Sequence, residues 1–186
     1  MSSKALRRAC RIAPVAAVQV EYSPFVREIE TGVSQNLLAT CRELGVATVC
    51  NSPLGRGLFT GTITSRDAVA TDPTDHRSKN FPWFTEENMA ANAALVAQFQ
   101  DFAQKKGISA GRLSLAWILA QGEDFFPIPG TRKVAYLEDN WAAKDVELTA
   151  EEVAEIRKFV EENSVTGYRS VPGAQYFEWV DTKEEV

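Results

Sequence analysis

Three short runs with almost no polar residue constrain this chain most: residues 15–20 (VAAVQV), 46–50 (VATVC) and 125–128 (FFPI). Continuous apolar character, rather than alternation, suits strands of a parallel sheet covered on both faces. Parallel neighbours cannot be joined by a hairpin and need a crossover, usually a helix. The intervening segments supply helices. Ser34 is placed to cap one that runs to about Leu44, with Leu37, Leu38, Cys41 and Leu44 on one face and Gly45 ending it. Residues 87–106 read as a second helix with Leu95, Phe99 and Phe102 inward. Ser109 caps a third to about Gln121, burying Leu113, Ala116, Trp117 and Ala120. A fourth covers about 133–143, and Thr149 with Glu152 forms a capping box ahead of a fifth that carries Val153, Ile156, Phe159 and Val160. The alternation defines an α/β chain with a parallel sheet. Two architectures fit: part of a (β/α)8 barrel, or a small doubly wound sheet. Three strand–helix units fall short of the eight a complete barrel holds.

Bulk properties narrow the class. The 186 residues are 45% hydrophobic and 24% charged, with a net charge of −5. An acidic chain lacks the basic surface that nucleic-acid binding requires. The cations near the start (Lys4, Arg7, Arg8, Arg11) and Lys105-Lys106 read as solvated helix faces. Cys10, Cys41 and Cys50 are widely spaced and odd in number, which disfavours a disulfide framework or a zinc ribbon. Cys50 reads as a reduced core residue. No apolar run reaches membrane-spanning length and the start lacks the long apolar stretch of a signal peptide, so a reducing, cytoplasmic setting is expected with no membrane partner.

Two loops leave the ends of strands, where α/β proteins place their sites. The first, residues 51–61 (NSPLGRGLFTG), lacks both GxxxxGK and GxGxxG. Its glycines could admit a pyrophosphate beside Arg56, or could simply make turns. The second, residues 129–133 (PGTRK), stops a strand and starts a helix with a hydroxyl and two cations, a pattern that suits a phosphate but also opens ordinary helices. Residues 62–86 read as a polar, irregular loop, with the one histidine, His76, at the surface. Tyr22 reads as packing at a rim rather than as an acid. Glu21 with Glu28 or Glu30 is too local to suggest a working carboxylate pair, and no catalytic or metal-ligating constellation stands out. Beyond Asn163 the chain is rich in Gly, Pro and aromatics (Tyr168, Tyr176, Phe177, Trp179), and its charged last residues are expected to fray.

Together, residues 18–25 (VQVEYSPF), 51–61 (NSPLGRGLFTG), 128–132 (IPGTR) and 137–140 (LEDN), in this order and spacing, resemble the C-terminal half of aldo-keto reductases over about residues 3–159. The resemblance implies a partial (β/α)8 TIM barrel over 1–163, holding strands six to eight, followed by a C-terminal tail over 164–186. It implies NADP(H) as cofactor and a small-molecule carbonyl substrate. Gln19 would bond the nicotinamide carboxamide. Ser52, Pro53, Leu54, Gly55 and Arg56 would line the pyrophosphate. Gly130, Thr131 and Arg132, helped by Lys133, would hold the 2′-phosphate, and Asp139 and Asn140 would meet the adenine. Asn51 stands where the family commonly has an aromatic residue that stacks on the nicotinamide. The family's catalytic Asp, Tyr, Lys and His lie on its first four strands, so none carries over to this sequence. The implied function is NADPH-dependent reduction of aldehydes or ketones by a truncated chain lacking its catalytic half. The alternative is a non-catalytic, NADPH-binding or regulatory half-barrel that pairs with another chain, or with itself, through open sheet edges. The tail and the 62–86 loop would shape part of the substrate pocket.

Overall fold

The computed structural model describes residues 1–174 and 178–182. Helix α1 (Ser3–Ile12) is capped by Ser2, whose side chain accepts from the Ala5 amide. Strand β1 (Ala17–Glu21) follows, then two short 3-10 turns and helix α2 (Leu37–Leu44). Strand β2 (Ala47–Asn51) leads into a third 3-10 segment, Gly55–Thr60, and two single-turn helices, α3 (Asp67–Ala70) and α4 (Arg77–Asn80). Helices α5 (Glu86–Lys105) and α6 (Ala110–Leu119), strand β3 (Phe125–Pro127), helix α7 (Val134–Trp141) and helix α8 (Ala150–Glu162) complete the order. The strands form one parallel sheet in the order β1-β2-β3.

That sheet decides between the two architectures. A doubly wound sheet reverses its strand order and carries helices on both faces. Here the order is sequential and the core lies on one face. Val18, Val20, Cys50 and Phe125 pack with Leu6 of α1, Leu37 and Cys41 of α2, Phe99 of α5, Leu113 and Trp117 of α6, and Ile156 of α8. This is an open segment of a (β/α) barrel. The register Gln19↔Val49↔Phe126 puts those side chains on the opposite face. Gln19 is exposed and Phe126 is 52% exposed, so the expectation that both sheet faces are covered is corrected. Among the described residues that face is open at Gln19 and Phe126 and covered at its end, where Arg56 and Arg169 bury Glu21. Helix α7 has no buried residue either, leaving Val134, Leu137 and Trp141 exposed.

Other departures are local. The helix expected from Ser34 begins at Leu37. Ser34 sits in the preceding 3-10 turn and still accepts from the Leu37 amide at 3.2 Å. Leu44, expected in the core, ends that helix 38% exposed. The segment expected to be irregular, 62–86, contains α3, α4 and a 3-10 turn, and closes a second apolar cluster of Leu58, Phe59, Ile63, Val69, Trp83, Phe84 and Met89. Its few apolar residues are too scattered to show a period, yet Ile63, Val69, Trp83 and Phe84 are each buried. Tyr22 is fully buried against Trp117 and Phe125, and Cys50 is a buried free thiol, raised to about 12 first by burial. His76 is exposed. The capping box at Thr149 and Glu152 is present. The expected fraying at the end, and Tyr176 and Phe177, lie outside the described residues.

The one-sided core makes a contrast measurable by chemical denaturation. Leu113→Ala empties a fully buried position and is expected to cost about 2–5 kcal/mol. Phe126→Thr, on the open face, is expected to change stability by no more than about 1 kcal/mol. Equal losses would show that the sheet is covered on both sides.

Candidate functional site

Parallel strands point their C-terminal ends the same way, so the loops that follow them meet at one edge of the sheet. Beyond β2 and β3 they enclose a cavity of about 690 Å³. Its lining includes Ser52, Pro53, Leu54 and Arg56 from the first loop, Gly130, Thr131 and Arg132 from the second, and Asp139 and Asn140 from α7. Nine of the twelve residues singled out from sequence therefore share one cavity. Gln19, Asn51 and Gly55 are outside its lining. Gln19 and Asn51 are instead on the open sheet face, since Asn51 pairs with Glu21 two positions beyond Gln19. Gly55 is buried beneath the first loop.

The first loop is held in an unusual backbone form. Ser52, Gly55, Arg56 and Gly57 all have positive φ (48°, 54°, 56° and 93°). Left-handed geometry costs a non-glycine residue about 1–2 kcal/mol, so at Ser52 and Arg56 the surroundings must enforce it. Several contacts do. The Gly55 and Gly57 amides donate to the Ser52 and Leu54 carbonyls, each at 2.9 Å. The Ser114 hydroxyl of α6 donates to the Pro53 carbonyl at 2.9 Å. Arg77 of α4 donates to the Arg56 carbonyl at 2.8 Å and is itself clamped by Asp75 at 2.6 Å. At Gly55 a Cβ would stand 2.4 Å from the Phe59 ring, so that position requires glycine for space as well as for φ. The Arg56 guanidinium stacks 4.3 Å above the Phe81 ring and pairs with Glu21 at 3.0 Å.

The second loop is more open. Thr131 accepts from the Lys133 amide at 3.2 Å, which turns the chain into α7. Arg132 is exposed, and its charge reaches Asp72. Asp139 is already engaged, by Arg112 of α6 at 2.5 Å and by the Ser109 hydroxyl at 2.5 Å. That contact ties α7 to α6 and fixes the cavity's far wall. Three arginines line the cavity; Arg56 and Arg77 are held by Glu21 and Asp75 from outside its lining, as Asp139 is by Arg112, so the exposed Arg132 is the cation best placed to meet an anion.

Sequence reading passed over Arg77, Arg112 and, in the segment beyond α8, Arg169. Asp75 and Arg77 two residues apart were the only local signal for the first. The third left none. Arg169 is 8% exposed and pairs with Glu21 at 2.7 Å, Glu28 at 2.8 Å and Glu178 at 2.5 Å. Glu21 and Glu28, set aside as too local to matter as a pair, thus converge on one cation. Trp179 donates its indole N–H to Glu28 at 2.7 Å, and Tyr168 donates to Glu178 at 2.7 Å. Burial alone would raise the Glu28 carboxyl, but the Arg169 and Trp179 contacts outweigh it and hold the group below its ordinary value. Burial and Glu178 push the Tyr168 hydroxyl up to about 12.

The Aldo/keto reductase family model matches residues 2–161. This chain belongs to the aldo-keto reductase family. It is 48% identical over 169 residues to aldo-keto reductase str7 of Strobilurus tenacellus, covering 91% of this chain and 49% of that protein. It is 42% identical over 181 residues to aldo-keto reductase yakc of Schizosaccharomyces pombe, whose name carries NADP(+), covering 97% of this chain and 52% of that one. Among solved structures, the glycerol dehydrogenase AKR11B4 from Gluconobacter oxydans aligns with a TM-score of 0.73 at 26% identity, covering 87% of this chain and 47% of that one. The chain spans about half the length of the curated relatives it matches.

A depressed carboxyl stabilises the fold above its unfolded value and loses that contribution as pH falls through the folded value. Acidification through and below the ordinary carboxyl range is therefore expected to release the segment around Arg169 by protonating Glu28. Tryptophan fluorescence would follow Trp179 as its indole loses Glu28. Glu28→Gln should flatten the transition, and an unchanged transition in that variant would contradict the assignment.

Proposed function

We propose that this chain forms the cofactor-holding part of an NADPH-dependent carbonyl reductase. The observation that carries the reading is the convergence of two loops and one helix, from successive strand–helix units, on a single arginine-lined cavity. At about 690 Å³ the cavity falls within the range of small-molecule and cofactor sites, about 300–1,000 Å³.

The residues present fit such a group. Arg132, with Thr131 and Lys133, would hold the 2′-phosphate, since the exposed guanidinium offers the planar fork a phosphate takes. Ser52, Leu54 and Arg56 would line the pyrophosphate, where the braced left-handed backbone brings the chain close without a later reorganisation. Asn140 and the clamped Asp139 would meet the adenine. Gln19 would reach the nicotinamide from the open sheet face. When bound, a reduced nicotinamide supplies hydride to an aldehyde or ketone carbon. This chain's own contribution is to bind, orient and fix that group. We assign the proton donor to no residue of this chain; Tyr136 lines the cavity half-exposed and matches no catalytic position of the resemblance. Tyr22, its one tyrosine at a strand end, is fully buried, and its hydroxyl is driven above its ordinary value by burial and by Glu30.

The uncovered sheet face supports a second element of the proposal. Phe126 and Ile128 are exposed where a closed barrel would bury its interior. Turnover therefore calls for barrel strands beyond these three. Residues 1–163 serve as the barrel part and 164–186 as the tail. Three free thiols favour a reducing, cytoplasmic setting.

Fluorescence titration with NADPH and NADH tests the reading. The chain is expected to bind NADPH, to prefer it to NADH by about tenfold or more, and to show no aldehyde-dependent NADPH oxidation alone. Arg132→Met should erase the preference while leaving NADH binding near its original level. Equal affinity for the two cofactors in the unaltered chain would refute the 2′-phosphate assignment.

A further inference from the structure

Glu21 is the last residue of β1 and its carboxylate is 7% exposed. One oxygen accepts from Arg56 Nη1 at 3.0 Å and the other from Arg169 Nη1 at 2.7 Å. Arg56 belongs to the loop that lines the anion cavity. Arg169 belongs to the segment beyond α8, outside that cavity's lining. One buried carboxylate is thus divided between a cation of the site and a cation of the tail.

We propose that Arg169 is a positioning residue for the anion site: by neutralising Glu21 it frees Arg56 to engage the diphosphate of a bound ligand. The inference rests on the cofactor reading above and extends it to a residue that does not touch the cavity. A buried carboxylate stripped of its partners is strongly disfavoured. With Arg169 in place, Glu21 keeps a cation whenever Arg56 turns toward a phosphate. Without Arg169, Arg56 becomes its remaining cation in this arrangement, and every phosphate contact made by Arg56 must compete with that pair. Arg169 is well suited to stay in place. Its guanidinium also holds Glu28 and Glu178, and Ser170 and Tyr168 brace Glu178 at 2.6 Å and 2.7 Å. The tail and the phosphate loop are therefore linked through a side chain neither of them owns.

The linkage has a defined signature in a double-mutant cycle. Calorimetric titrations with NADPH and, separately, with inorganic pyrophosphate would compare the unaltered chain with Arg169→Met, Glu21→Gln and the double variant, each checked for folding by circular dichroism. Arg169→Met is expected to weaken both ligands about tenfold. Glu21→Gln is expected to bind at least as tightly as the unaltered chain. In the Glu21→Gln background, Arg169→Met should then change affinity by no more than about twofold. A tail that merely loosens the fold predicts the same loss in both backgrounds, and that result overturns the proposal. So does an Arg169→Met variant that binds like the unaltered chain. Should Arg169→Met fail to fold, weaker binding by Glu21→Gln alone would overturn it, and tighter binding would support it. Pyrophosphate binding that follows the cycle without NADPH binding would sink the cofactor reading and leave this one standing. Failure of the unaltered chain to bind either ligand overturns both.

Discussion

The parallel ladder of β1, β2 and β3 sets the direction of everything attached to it. Parallel strands end on the same side, and β2 and β3 are neighbours about 4.8 Å apart, so the loops that follow them start close together. The loops after β2 and β3 have no other place to go than a shared edge. The helices that make the crossovers bury one sheet face and anchor those loops from below, as Ser114 of α6 does at Pro53. Site geometry is thus a consequence of strand direction first and of loop chemistry second.

How far this was legible in sequence differs by element. The three strands could be read because their apolar runs are short, dense and bounded by turn residues. The exposed face could not, because a barrel interior is as apolar as a covered sheet, so Phe126 reads the same in either setting. Segment 62–86 reads as loop for a related reason. Its anchors, Ile63, Val69, Trp83 and Phe84, act singly from short turns and never establish a period. Within the site, the two cavity loops carry their polar and cationic residues contiguously and were visible. Asp139 was visible as a residue but not in its partners, since the clamp from Arg112 spans 27 positions. Arg169 is 148 positions from Glu21, and no local pattern marks that separation.

Charge placement explains why an acidic chain can hold an anion cavity. Its net charge is −5, yet the carboxylates near the site are spent internally: Asp75 on Arg77, Asp139 on Arg112, and Glu21 on Arg56 and Arg169. Each pair does structural work at the same time. Asp75 holds Arg77 against the Arg56 carbonyl and so keeps the left-handed turn in place, while Asp139 ties α7 to α6. Arg132 stands exposed at the second loop, which fits a role reserved for a ligand rather than for the fold.

We propose that both loops close on one phosphate-bearing ligand, and hydrogen-exchange mass spectrometry with and without NADP+ reads that closure. Slowed exchange is expected in residues 52–61 and in residues 130–140 at the same ligand concentration, with the helix α2 amides unchanged. Protection confined to one loop, or appearing only outside both, would contradict it.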